Sequence, residues 1–374
     1  MRILLVTGRY PPSQCGVGDY TKRLVEALST IPDIQVGVLT EGIFERESAR
    51  EGFVELIGVL NKWSFSELPG LVTTIYQWKP DLVHIQYPSQ GFTSPALPSL
   101  LPFMFRLIGL KVIQTWHEPY TVNKSHRLKS FLYFLFMSLG ATGLVFVRQD
   151  YVGILSNTYR RIIKRIPQVV IQNATPLPKS LLSENQGKQL RSKYLGPFRR
   201  LVVFFGFVYP DKGIELIFNI ANPLTDSVVV AGALQDSNYV SQLISTAQIN
   251  GWSESQIHFT GFLSPQDAAD LLAIADAVVL PFRAGSGEWN TSVHSALAQG
   301  TLVITTAVSP RGDEPDRNLY TAAPADIDNM RAALDRIAGR RISPISTEEQ
   351  WKHIANSHVN FYKRFVSSAK SKKA

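Results

Sequence analysis

The sequence predicts two α/β domains, each built on a parallel β-sheet, and three observations carry that prediction. Short apolar runs alternate with amphipathic stretches along the whole chain, the pattern of parallel sheets covered by helices. A length of 374 residues is more than one ordinary compact domain holds, and 45% hydrophobic residues supply a core to each half. Between the two sets of runs lies 173–197, polar and carrying Pro176, Pro178 and Pro197, which reads as a linker. The expected boundaries are 1–175, 176–345, and a terminal helix with a basic tail over 346–374.

In the first half the strand candidates are 3–7, 36–40, 82–86, 112–115, 144–147 and 169–172. The opening run, Ile3-Leu4-Leu5-Val6-Thr7, is too short for a secretory leader and passes into Gly8-Arg9-Tyr10-Pro11-Pro12, so it reads as a strand ending in a loop. A helix over 20–29 follows, with Leu24, Val25 and Leu28 on one stripe. The uncharged run 130–147 reaches the lower limit for a membrane span. Gly140 and Gly143 break it, so it reads as a packed helix followed by a buried strand. In the second half the strands are 201–205, 227–231, 257–260, 277–280 and 302–305, with helices at 265–274 and 327–337 and a last one over 347–367. Two such sheets are expected to turn the carboxyl ends of their strands toward a common cleft, where parallel sheets bind ligands.

The formal net charge of +8 favours anionic partners. The basic clusters 160–165 and 370–373 lack interleaved aromatics and zinc-finger spacing, which argues against nucleic acid. The stretch Phe131-Leu132-Tyr133-Phe134-Leu135-Phe136-Met137 follows Lys124, Arg127 and Lys129, a combination able to dock on an anionic bilayer without crossing it. The single cysteine, Cys15, permits no intrachain disulfide and fits a reducing compartment. The expected location is therefore cytoplasmic, with peripheral contact at the inner membrane face as a further expectation.

Four segments carry chemistry. In the loop from Pro11 to Tyr20, Gly16 and Gly18 stand before a helix, where backbone amides can approach a phosphate. A dinucleotide fingerprint also starts Gly-x-Gly, with Glu41 as its acidic residue, but Thr21 fills the third glycine position. A plain surface loop remains the alternative. His117, in Gln114-Thr115-Trp116-His117-Glu118-Pro119, sits at the carboxyl end of a strand and can donate a hydrogen bond to a sugar or phosphate. In the stretch from Phe204 to Glu215, Lys212 precedes Gly213 and the next helix, and offers a point charge to a leaving diphosphate. The last segment runs from Leu280 to Gly300, where a glycine-rich loop with Glu288 leads into Asn290, Thr291 and Ser292 at a helix start.

These segments, in this order, resemble the retaining, nucleotide-sugar-dependent glycosyltransferases of family 4. That family has the GT-B fold, two Rossmann-like domains facing a central cleft. The resemblance spans nearly the whole chain, including Gly206-x-x-x-x-x-Lys212-Gly213, Gly261-Phe262-Leu263-Ser264 and the 275–281 run Ala-Asp-Ala-Val-Val-Leu-Pro. It implies that Gly16 and Gly18 lie near the donor diphosphate or acceptor, that His117 contacts the transferred sugar, and that Gly206 and Lys212 meet the diphosphate. It implies further that Glu288 faces the sugar hydroxyls and that Asn290, Thr291 and Ser292 supply amides to the phosphates. The implied activity is a hexosyl transfer from a nucleoside diphosphate sugar to a glycan, lipid-linked or small-molecule acceptor, as in polysaccharide biosynthesis, with no metal or other cofactor. The terminal helix is implied to cross back onto the first domain, packing Trp351 and Phe361 there.

Two positions depart from the family pattern. Its second glutamate, which holds the nucleotide ribose, falls on Ser295, and an arginine after the glycine of the lysine motif falls on Phe207. Glu288 fits the first glutamate with a one-residue shift, since Gly287 stands eight positions before Ser295. A degenerate sugar-nucleotide-binding protein and an NAD-dependent oxidoreductase are the competing readings. Asp326-Ile327-Asp328 matches a metal-binding Asp-x-Asp, but it opens a helix and reads as a cap.

Overall fold

The computed structural model describes residues 1–13, 15–41, 50–51, 54–87, 92, 96–120, 124–234, 236–285 and 290–366. The chain divides into two compact units, Met1–Asn173 with Glu348–Ala374, and Ala174–Thr347.

The first unit holds strands β1 (Arg2–Arg9), β2 (Gln35–Glu41), β3 (Arg50–Glu51), β4 (Val54–Leu60), β5 (Leu82–Tyr87), β6 (Val112–Trp116), β7 (Gly143–Phe146) and β8 (Gln168–Val170). Among the described residues they form one sheet in the order β3-β4-β2-β1-β5-β6-β7-β8, parallel except for β3 against β4. β1 and β5 to β7 are buried on both faces because helices cover both. The run 130–147 resolves into the helix Arg127–Gly140 and β7. At Gly140 a Cβ would sit 2.1 Å from the Pro102 carbonyl carbon, so the glycine lets that helix press on the backbone of Ala96–Leu107. Trp351 and Phe361 of the helix Thr347–Val366 are buried, and the Trp351 ring lies tilted against Tyr20 at 5.1 Å.

The second unit holds β9 (Arg200–Phe205), β10 (Asp226–Ala231), β11 (Ile257–Gly261), β12 (Ala277–Leu280), β13 (Val303–Thr306), β14 (Gly312–Glu314) and β15 (Leu319–Ala322). Their order is β11-β10-β9-β12-β13-β15-β14, parallel except for β14. Asp276 ties this sheet to the helix Glu184–Leu195, accepting from Arg191 at 2.6 Å and from the Leu201 amide at 2.7 Å.

Three expectations need correction. The stretch read as a linker contains that helix, started by a capping box between Ser183 and Gln186 and bonded to the sheet through Ser227. Strands β3, β4, β14 and β15 lie where no strand was expected. The glycine loop after β1 is already helical, since the helix Gly16–Ser29 begins at Gly16 and the Asp19 amide donates to Cys15 O at 2.9 Å.

Candidate functional site

In an open parallel sheet, ligands bind where strand order reverses, because two neighbouring loops there diverge to opposite faces. In the second unit that point lies between β9 and β12, and the two loops that follow them are the lysine segment and the glycine-rich segment. The first turns at Gly206, whose φ of +143° suits only glycine. A Cβ there would stand 3.0 Å from Ser292 Oγ, so Gly206 and the start of the helix Thr291–Ala298 are in direct contact.

Asn290 caps that helix, its Oδ1 accepting from the Ser292 amide at 2.9 Å. Asn290 therefore takes up the Ser292 amide that was expected to meet a phosphate. Among the described residues the amides of Thr291 and Val293 meet no acceptor, and the helix dipole adds to their pull on an anion.

Lys212 ends a 3-10 turn, Pro210–Lys212, closed by Gly213 at φ +66°. Its Nζ lies over the Phe282 ring, 4.9 Å from the centroid. The turn is strapped to the loop after β12, because a Cβ on Gly213 would lie 2.5 Å from Pro281 O and Arg283 Nε donates to Pro210 O at 3.3 Å. Arg283 also pairs with Glu215, whose other oxygen accepts from Tyr239 at 2.6 Å.

Ser295 is fully buried, and its hydroxyl lies 2.7 Å from that of Thr175. It presents no surface to a ribose. Phe207 stacks near-parallel on Tyr209 at 6.0 Å, so an apolar platform occupies the place of a cation. Glu288 and Gly287 lie outside the described residues. Sequence reasoning missed Gly232, at the end of β10 with φ +154°. A Cβ there would fall 1.8 Å from Gly206 O, so Gly232 seats the Gly206 turn. The Asp-x-Asp is a helix cap, Asp326 accepting from the Asn329 amide at 3.3 Å. Among the described residues no three His, Cys, Asp or Glu side chains gather as a metal site.

In the first unit the reversal lies between β1 and β5. Gly18 is buried and permits close approach, since its Cβ would stand 2.7 Å from Arg9 O, whereas Gly16 is exposed with open space around it. His117 follows β6, half-buried, its ring edge-on to Tyr20 at 4.6 Å. Its Nε2 lies 2.9 Å from Gln86 Oε1, and its carbonyl accepts from Tyr151 Oη at 2.8 Å. Burial pushes the imidazole down to about 3, and the nearby His358 adds to the effect. At neutral pH the ring is uncharged, and its one hydrogen goes to Gln86. The expected donor is thus spent inside the protein, and Nδ1 remains as an acceptor.

Residues 199–339 match the family model for group 1 glycosyl transferases. No curated protein sequence matches the chain. Among solved structures it is similar to a sucrose-phosphate synthase from Thermosynechococcus elongatus, with 15% identity over 98% of this chain and 99% of that one and a TM-score of 0.72. HepE of Anabaena, in complex with UDP and glucose, gives 16% identity over 99% and 100% and a TM-score of 0.65. The N-terminal domain of Candida albicans trehalose-6-phosphate phosphatase gives 12% over 95% and 93%, with a TM-score of 0.61. At such identities the likeness is one of fold, the two parallel-sheet units of the GT-B class.

Proposed function

We propose that this protein transfers a sugar from a nucleoside diphosphate sugar to an acceptor hydroxyl, with the anomeric configuration retained. The carrying observation is the Gly206 turn lying against an anion-ready helix start within a group 1 glycosyltransferase domain. A leaving diphosphate needs charge compensation that is already in place when the glycosidic bond breaks. Lys212 and the amides of Thr291 and Val293 provide it without a metal. His117 Nδ1 accepts from a hydroxyl of the transferred sugar, and Glu288 orients that sugar. The Anabaena complex with UDP and glucose supports a nucleotide-sugar donor. A thermal-shift screen against UDP, GDP, ADP, their sugar conjugates and NAD tests the reading. Stabilisation by one nucleoside diphosphate and its sugar conjugate is expected; stabilisation by NAD alone, or by none, sinks it.

The acceptor side of the reading is a lipid-linked glycan met at an anionic membrane surface. The helix Arg127–Gly140 exposes Leu128 (72%), Leu132 and Leu139 to solvent, and Leu107 (71%) and Ile108 are exposed at the end of the neighbouring helix. A groove of about 550 Å³ is lined there by Leu128, Leu132, Tyr133 and Phe136 with Arg127 and Lys129. No described helix is long and apolar enough to cross a membrane, so the contact would be peripheral. Cosedimentation with anionic but not neutral vesicles is expected, and absence from both pellets removes this part of the reading.

A second reading is a binding protein that no longer turns over. It is favoured by the burial of Ser295 and by Phe207 in place of a cation. Nucleotide-induced stabilisation without transfer or donor hydrolysis would support it.

A further inference from the structure

We propose that Gln86 is a positioning residue which holds His117 in its Nε2-protonated tautomer, and that Gln86 is itself oriented by the buried ring of His84, clamped between β6 and the terminal helix. Gln86, His84, Thr115 and Tyr362 are each fully buried. The proposal rests on the reading of His117 as the sugar-contacting residue, and it adds how that ring is prepared.

The hydrogen-bond partners follow from the outermost group inward. The Tyr362 phenol is held protonated, since burial raises its titration well above the usual range. Its hydroxyl lies 2.6 Å from His84 Nδ1 and is that nitrogen's partner. Burial also keeps His84 uncharged, with His358 and His117 adding to the effect. Its Nε2 lies 2.7 Å from Thr115 Oγ1, so its one hydrogen goes to one of these two hydroxyls and its one lone pair accepts from the other. Both ring nitrogens of His84 are now committed.

Gln86 Nε2 stands 3.3 Å from His84 Nε2 and 3.4 Å from Nδ1. Near-equal distances to both nitrogens do not fit an in-plane bond to one lone pair. They fit an amide N–H laid toward the electron-rich imidazole face. The reversed amide would press an oxygen on that face, with no hydrogen available to it. His84 thus fixes which end of Gln86 points away, and that end is Oε1, 2.9 Å from His117 Nε2. An oxygen can only accept, so His117 carries its hydrogen on Nε2 and leaves Nδ1 bare.

The other groups facing this cluster do not reverse the assignment. Tyr20, on the helix Gly16–Ser29, meets His117 edge-on, and its buried hydroxyl has no partner among the described residues. Tyr151 is bonded to the His117 carbonyl rather than the ring. His358, on the terminal helix, donates from Nδ1 to Ile354 O at 2.9 Å and stays uncharged, leaving its Nε2 as a buried acceptor without a partner among the described residues.

Nitrogen-15 NMR of the full-length protein labelled at histidine reads the tautomer directly, with no donor sugar or turnover needed. His117, assigned by its loss in His117→Asn, is expected as the Nε2–H tautomer from pH 5.5 to 8. Gln86→Leu is expected to give a mixture of tautomers, and Gln86→Glu an imidazolium that titrates near or above neutrality. With transferase activity present, Gln86→Leu lowers kcat roughly tenfold, the loss of about one hydrogen bond's net worth. Gln86→Glu acquires a rising limb with pH that the parent lacks. An Nδ1–H tautomer in the parent overturns the proposal. So does an unchanged tautomer in Gln86→Leu that still melts as the parent does. Tyr362→Phe covers a Gln86 variant that fails to fold: it removes the partner of His84 Nδ1, and an unchanged His84 resonance would equally overturn the chain of assignments. An absence of turnover in a parent with the assigned tautomer would count against the transferase reading alone.

Discussion

The two units prepare their candidate sites by opposite means. In the second unit the backbone does the shaping: Gly206, Gly213 and Gly232 all have positive φ, and the anion-facing groups are amides at a helix start and one half-buried lysine. In the first unit side chains do it, through a buried chain of hydrogen bonds in which burial keeps His84, His117 and His358 uncharged. A backbone cradle does not depend on pH but fails when a Cβ is added. A side-chain network tolerates small volume changes but depends on where each proton sits. On the proposed function the contrast divides the tasks, since fixed dipoles suit a charged leaving group and a neutral imidazole suits a sugar hydroxyl.

Substitutions that strike one mechanism and spare the other sharpen the comparison. Lys212→Ala should lower kcat about a hundredfold or more, near 3 kcal/mol of lost leaving-group stabilisation, while the melting temperature holds. Turnover close to the parent's would remove Lys212 from the chemistry. Next, Gly232→Ala places a Cβ 1.8 Å from Gly206 O at φ +154°, and overpacking with strain costs roughly 2–4 kcal/mol. Nucleotide-induced stabilisation should vanish while hydrogen exchange in the first unit is unchanged. A normal nucleotide response would show that Gly232 does not seat the turn.

Acid separates the units by a smaller margin. The folded state holds His117 at about 3, His358 at about 4 and His84 well below its usual value, whereas the unfolded chain binds those protons near pH 6.5. The stabilising contribution is complete above about pH 6.5 and declines as pH falls toward 4, by about 1.4 kcal/mol per pH unit for each group. In the second unit His258 is also pushed down, but it is only half-buried. Hydrogen exchange at pH 7.5 and 5 should show the first unit losing protection earlier; equal loss would contradict the buried-neutral assignment.

The smallest effect concerns Asp19, which burial raises to about 6 against the opposing Lys22. Its penalty grows as pH rises from about 4 to 6 and is complete above that. Asp19→Asn should raise the melting temperature at pH 8 and leave it near the parent's at pH 4. No gain at pH 8 would mean that Asp19 is better solvated than its place suggests.

Much of this was legible in the sequence. Continuous apolar runs such as Leu201-Val202-Val203-Phe204 and Ala277-Val278-Val279-Leu280 announce buried parallel strands, and the structure has both. β15 was hidden because Leu319-Tyr320-Thr321-Ala322 gains its strand character from pairing with β13. The helix Glu184–Leu195 was masked by its polarity, although Ser183 and Gln186 spelled its start. Lys212 and Asn290 could be found because each stands in a local pattern. Gly232 and Gln86 could not, since each acts on a residue that sequence does not mark as its neighbour, 26 positions off in one case and 31 in the other.

The hydrogen bond between Tyr362 and His84 joins positions 278 apart in the chain. During synthesis the ribosome delivers the whole of the second unit before the terminal helix that supplies Trp351, Ile354, Val359 and Tyr362 to the first unit's interior. The usual order of vectorial folding, N-terminal domain first, is reversed here. The second unit is contiguous and can close while the first still waits for its last helix. A nascent chain arrested near residue 347 would carry a folded second unit and an unfinished first one, with His84 lacking its phenol partner.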